Sequence, residues 1–320
     1  MLKKLFMASV LGLSLTTYAQ AEESSAQTKN QDSASINTST AQVAPQASSP
    51  QWKMSTTASL TNLGGTQAAA TYSFGDVSVY NQNLTAERTI NANQKISVKA
   101  QYIRNDYVVN SGLLSYREVS SGFGDTLMNL STVLAKQDSF VTILDTGVFL
   151  PTGTVNVNHE YVANVRYKYF LQLGSGTVDP TISLTQAYNS AKFQTGAKLT
   201  TVQRYGHNEN GYRFGDMYRA DAWGFLPVGN GVTLEALGYF RKKTSIDGQD
   251  RTLSRTATEF YYHDQNDWAV YAAAKYSYNL QPNLAATAEL GVPAAQGMSN
   301  IDNVVISTRY FANVSLSGTF

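Results

Sequence analysis

The chain has three histidines, His159, His207 and His263, each beside an acid or an amide: Glu160, then Asn208 and Glu209, then Asp264. An imidazole paired in this way could act as a general base, or three could converge on a metal. Their spacing argues for neither. No two lie four residues apart, none sits close to another, and all fall between periodic segments, where solvent-exposed histidines are expected. A surface phospholipase would need a Ser and a His low on adjacent strands, and no His lies on a predicted strand. A rim protease would need His and Asp pairs, for which Asp106, Asp216 and His207 are only loosely suited. Gly-x-Ser-x-Gly is absent, and Gly174-Ser175-Gly176 lacks the Lys-Ser/Thr that would cradle phosphate. With no Cys there is no thiolate chemistry. The expectation is a non-enzymatic protein with no metal and no cofactor.

A second set of charges has a clearer rule of placement. Lys198, Arg219, Asp221, Glu235, Arg241, Lys275 and Glu289 all lie in segments that alternate apolar and polar residues, always at the polar positions. Trp268, Val270, Ala272, Ala274, Tyr276, Tyr278 and Leu280 make one apolar face. Leu284, Ala286, Ala288, Leu290 and Val292 make another, and Val232, Leu234, Ala236, Gly238 and Phe240 a third. Period two is the signature of a strand with one apolar and one wet face. If the apolar face meets lipid, charge on it would cost about 2–4 kcal/mol at the midplane, so these groups point to a lumen. There, interleaved cations and acids cross-pair and narrow the bore.

The elements that must position them read as an all-β transmembrane antiparallel barrel over 52–320. Short turns are expected at Asn91-Ala92-Asn93, Lys136-Gln137-Asp138, Asn189-Ser190, Val228-Gly229-Asn230-Gly231 and Gln281-Pro282-Asn283. Long loops are expected at 63–76, 108–121, 152–177, 206–213, 245–266 and 293–303. Strands are placed near 52–62, 77–90, 94–107, 122–136, 139–151, 178–189, 191–205, 214–227, 231–245, 267–280, 283–293 and 304–320. That makes twelve, with ten or fourteen as alternatives, and 67–74 as a rival for the first. Short turns at one end and long loops at the other are the outer-membrane pattern. The closing segment, from Tyr310 through Val314 and Leu316 to Phe320, alternates in the same way and ends on an aromatic. It resembles the C-terminal signal that such barrels present to their assembly machinery, with Gly318 standing where a larger apolar residue is common.

Ahead of the barrel, Lys3 and Lys4, an apolar stretch from Leu5 to Leu15, and Ala19-Gln20-Ala21 read as a secretory signal peptide, 1–21. Residues 22–51 are rich in Ser, Thr, Ala, Gln and Asn and read as a disordered periplasmic segment. It serves as a spacer or as a contact with the cell wall or a partner. The net charge of +1 offers nothing to nucleic acid. Twenty Tyr against three Trp suit aromatic girdles. The expected location is the Gram-negative outer membrane, in contact with its lipid and lipopolysaccharide, as a monomer.

Gly122-Phe123-Gly124-Asp125, Leu150-Pro151-Thr152-Gly153 and Gly174-Ser175-Gly176-Thr177-Val178-Asp179-Pro180 recur at strand ends. Tyr212-Arg213-Phe214-Gly215-Asp216, Leu290-Gly291-Val292-Pro293 and the terminal Phe320 follow in order. Over 77–320 this series resembles the outer-membrane family named for the phenol meta-cleavage pathway, distantly like the long-chain fatty-acid transporters. The N-terminal hatch and asparagine-proline-alanine signature of those transporters are absent. The resemblance implies a barrel that passes small apolar or aromatic compounds. Read for themselves, the glycines permit bulges and tight loop entry, with Asp as a turn acceptor; Asp125 and Asp216 could instead coordinate a loop cation or line the mouth. The aromatics Tyr161, Tyr167, Tyr169 and Phe170, with Phe260, Tyr261 and Tyr262, pack as loop and girdle, or form an outer vestibule that catches a hydrophobic ligand. Two functions remain in view: passive uptake of such compounds, or a structural or partner-binding barrel with a closed lumen.

Overall fold

The computed structural model describes residues 51–65, 67–68, 72–111, 114–158, 172–190, 192–248, 265–299 and 306–320. The expected signal peptide, residues 22–50, His159, His263 and all seven loop aromatics lie outside the described residues.

Twelve wall strands follow one another round a closed antiparallel barrel. They are β1 (Trp52–Gly65), β2 (Tyr72–Asn91), β3 (Gln94–Ser111), β4 in two segments (Leu114–Phe123 and Thr126–Gln137), and β5 (Phe140–Leu150). Next come β6 (Asp179–Asn189), β7 (Gln194–Val202), β8 (Met217–Gly229), β9 (Val232–Lys243), β10 (Gln265–Gln281), β11 (Leu284–Ser299) and β12 (Ile306–Thr319). Each pairs with its neighbour in sequence, and β1 closes on β12 from Lys53↔Thr319 to Gly65↔Ile306. The seam is finished by two hydrogen bonds, Trp52 N to Phe320 O at 3.1 Å and Phe320 N to Trp52 O at 2.8 Å. No sheet edge is left along that seam to recruit another chain.

The short connections fall where expected, and their chemistry explains them. Asn230 and Gly231 both have positive φ, 51° and 78°, as the two-residue hairpin turn whose twist matches the strands requires. At the opposite end the expected loop bounds give way. Strand β3 runs on to Ser111 and pairs with Leu114–Phe123, β2 begins at Tyr72, and β11 continues past Pro293 to Ser299. Pro293 is accommodated because the register slips beside it, between Val270 and Tyr271 on β10.

The outward faces carry the apolar belt. Leu84, Leu199, Leu234, Leu290, Val292 and Val314 are all exposed on the outside of the wall. Aromatics rim it, with Phe140, Tyr188 and Phe193 packed at tilted angles near the short-turn end (4.9 and 5.3 Å) and Tyr102 edge-on to Phe123 further up (5.7 Å). An even-stranded closed barrel with an apolar belt between aromatic girdles is an outer-membrane protein.

Candidate functional site

Alternation turns Lys198, Arg219, Asp221, Glu235, Arg241, Lys275 and Glu289 inward, and the structure buries all but half-buried Lys198. Arg219 Nε donates to Asp221 Oδ1 at 2.8 Å, and Arg241 grips Asp267 with two hydrogen bonds of 2.8 and 2.9 Å. Lys198 Nζ lies 3.0 Å from Asp145, which also accepts from the Ser131 hydroxyl at 2.6 Å. Lys275 pairs with Glu235, and Asn313 donates to Glu289 at 3.0 Å. Their partners Asp145 and Asp267 were not singled out in the sequence. Both sit at inward positions of their strands, so the alternation that placed the cations could have found them.

The opposite wall is mainly polar over the same height, with Lys99 buried on β3 among uncharged groups. Ser55, Thr57, Ser59 and Thr61 line β1, Asn81, Asn83 and Thr85 line β2, and Gln101 and Asn105 line β3. Gln101 donates to Asn81 at 2.7 Å and Asn105 to Ser120 at 2.9 Å. A water-wide bore would leave such groups wet, yet Asn81 is 1% exposed and Glu235 4%. At this level the interior is packed.

Above it, the wall is broken. The lower segment of β4 pairs with β5 from Thr126↔Leu150 downward, while the upper segment pairs only with β3 among the described residues. Between them Gly124 and Asp125 leave the strand, although Gly124 N–H still donates to the Gln101 carbonyl at 2.8 Å. Strand β5 ends at Leu150, and the chain beyond it folds behind the gap. Asp125 fastens it, accepting from Gly153 N–H at 3.1 Å and from the Ser175 N–H and hydroxyl, both at 2.7 Å. Thr152 and Thr126 hydroxyls meet at 2.8 Å across the gap's lower lip. Leu173, fully buried, sets its side chain against Gly122, and its carbonyl and the Ile103 side chain both lie over Gly124. The loop's two arms touch backbone to backbone, and a Cβ on Gly153 would sit 2.7 Å from the Gly174 Cα. The glycines singled out in sequence therefore serve close approach, and Asp125 is a loop fastener.

Asp216 has the same role, accepting the Arg204 N–H at 2.8 Å, while Arg204 reaches Asp179 at 3.5 Å. His207 is exposed and 3.5 Å from Asp247. Among the described residues no three His, Asp or Glu side chains group as a metal site.

No protein-family model matches the sequence, nor does any curated protein. In fold the chain is similar to an outer-membrane channel from Pseudomonas putida F1, at 12% identity and a TM-score of 0.53, over 87% of this chain and 97% of that one. A FadL homologue of Pseudomonas aeruginosa (9% identity, TM-score 0.38, 85% and 90% covered) is a looser match. So is the translocator domain of the autotransporter NalP from Neisseria meningitidis (10%, 0.40, 95% and 99%). The first likeness fixes the channel-type barrel fold and no more; the other two are too distant to bear on function.

Proposed function

We propose that this barrel passively admits small hydrophobic or aromatic molecules from outside and releases them sideways into the membrane through the break in its wall. The observation that carries this reading is the interruption of β4 at Gly124–Asp125, backed by Leu173 and Ile103. A gap faced with apolar side chains suits an apolar solute, which gains about 25 cal/mol per Å² on leaving water for lipid. Below the break the paired charges fill the lumen, so a straight aqueous path to the periplasm is the wrong route for such a solute. Lys198, Arg219, Asp221, Glu235, Arg241, Lys275 and Glu289 act in this scheme as a seal as well as a constriction. The loop aromatics Tyr161, Tyr167, Tyr169, Phe170, Phe260, Tyr261 and Tyr262 would supply the outer catchment. The alternation from Tyr310 through Val314 and Leu316 to Phe320 would deliver the chain to the assembly machinery.

The packed lumen also favours a second reading, a sealed barrel whose loops or N-terminal segment bind partners. The experiment that separates them is permeation into liposomes of a neutral aromatic, an aromatic acid and a sugar. Uptake predicts aromatic flux without sugar flux. Absence of all flux, even when Asp125→Ala frees the loop, would leave the sealed barrel.

A further inference from the structure

The inward faces of β9 to β12 carry a feature that the ion pairs do not explain. Tyr239 lies beside Tyr271 with near-parallel rings 6.4 Å apart, and Tyr271 meets Phe311 edge to face at 5.4 Å. The row bridges four strands because β11 contributes Gly291 between the last two. A Cβ there would overlap the Phe311 ring, so only Gly lets Phe311 lie across the strand and reach Tyr271. Unlike the buried ions around them, all three aromatics are only half-buried. The covering of a bare glycine by a ring is a common sheet-stabilising device, but it accounts for Phe311 alone and not for a shelf-like row of three half-buried rings.

Arg219 sits over the Tyr239 ring at 4.5 Å and Arg241 at 5.8 Å. Two guanidiniums suggest a receptor for an anion, yet each is matched: Arg219 by Asp221 and Arg241 by both oxygens of Asp267. The Tyr239 hydroxyl also hydrogen-bonds Asp267, and the Tyr271 hydroxyl lies 3.2 Å from that of Thr308. Each of these two guanidiniums is committed to an acid, so a carboxylate ligand there would face two buried acids and break a pair that costs several kcal/mol to leave open, even with Lys243 near Asp267. The two guanidiniums instead lie against the first ring of the shelf.

We infer that Tyr239, Tyr271 and Phe311 form a stacking site for an uncharged aromatic ring, and that the barrel selects against the corresponding carboxylate there. The site rests on the uptake reading and completes it. Gly291 lies seven residues above the Leu284 end of β11, and Gly124 thirteen above the Gln137 end of β4. With β4 and β5 flanking the break and β9 to β12 carrying the shelf, the two lie on opposite sides of the barrel.

The test is binding of 2-naphthol and of 2-naphthoate, at neutral pH, to the purified full barrel in detergent, followed by titration calorimetry. The expected result is saturable 2-naphthol binding, with 2-naphthoate at least tenfold weaker. Tyr271→Leu and Gly291→Ala should each weaken 2-naphthol at least tenfold, the second by displacing Phe311 without removing any ring. Tyr276→Leu, on the lipid face, should change nothing. Naphthoate binding as tight as naphthol, or naphthol binding indifferent to Tyr271→Leu in a folded barrel, overturns the inference. Naphthol bound in this pattern but not carried across liposomes would leave the site standing and sink the uptake reading. Flux that ignores both shelf variants would do the reverse.

Discussion

At the scale of single residues, the lumen is governed by the cost of leaving a buried charge alone. Arg241→Met removes both guanidinium donors to Asp267 and should destabilise the barrel by about 3–5 kcal/mol. Adding Asp267→Leu should recover most of that loss, because replacing a whole buried pair by apolar residues is often neutral. Urea titration of folding into lipid vesicles reads both changes, and a double variant no better than the single would mean the pair is not the unit that matters. Asp125 poses a different question, since it holds backbone and hydroxyl donors from both arms of one loop. Asp125→Ala should leave the wall folded but release the loop. We expect a higher aromatic flux and new protease cleavage between Thr152 and Thr177; unchanged cleavage would show that other contacts hold the loop.

At the scale of elements, the break in β4 and the loop behind it act together, and the absence of native cysteine makes them easy to lock. Thr126→Cys with Thr152→Cys replaces two hydroxyls that touch at 2.8 Å and should form a disulfide across the lower lip. Oxidation should then suppress aromatic flux and a reductant restore it, with the single variants insensitive to both. Flux equal in the two redox states would place the route elsewhere. This is also the scale at which the sequence was partly silent. Alternation placed the twelve strands and turned Lys275 and Glu289 inward, because lipid on one side makes the pattern strict. It could not pair them, since partners such as Lys198 and Asp145 lie two strands apart, and pairing depends on register and side-chain reach. Nor did it show the gap: Gly122-Phe123-Gly124-Asp125 reads as the start of a strand, and only the return of Ser175 and Gly153 to Asp125 shows where the wall stops. The Gly291–Phe311 contact was hidden for the same reason, because a glycine's use is defined by what crosses it.

At the scale of the whole molecule, the belt and the lumen set opposite rules for the same substitution. Leu290→Arg, on the lipid face next to Ala274, should cost about 2–4 kcal/mol in vesicle folding. Ser277→Arg, on the inward face near the short-turn end, should cost much less; equal penalties would contradict the assignment of faces. The seam between β1 and β12 carries a consequence of a kinetic kind. Eleven of the twelve strand pairings join neighbours in sequence, but the twelfth joins β1 to a partner more than 240 residues further along the chain. Contacts so remote in sequence make folding slow. Until that last pairing forms, two open edges, Trp52–Gly65 and Ile306–Thr319, stand ready to capture strands of other chains. The barrel's greatest vulnerability is therefore a matter of time rather than of strength: it is safest once closed and most exposed to misassembly just before.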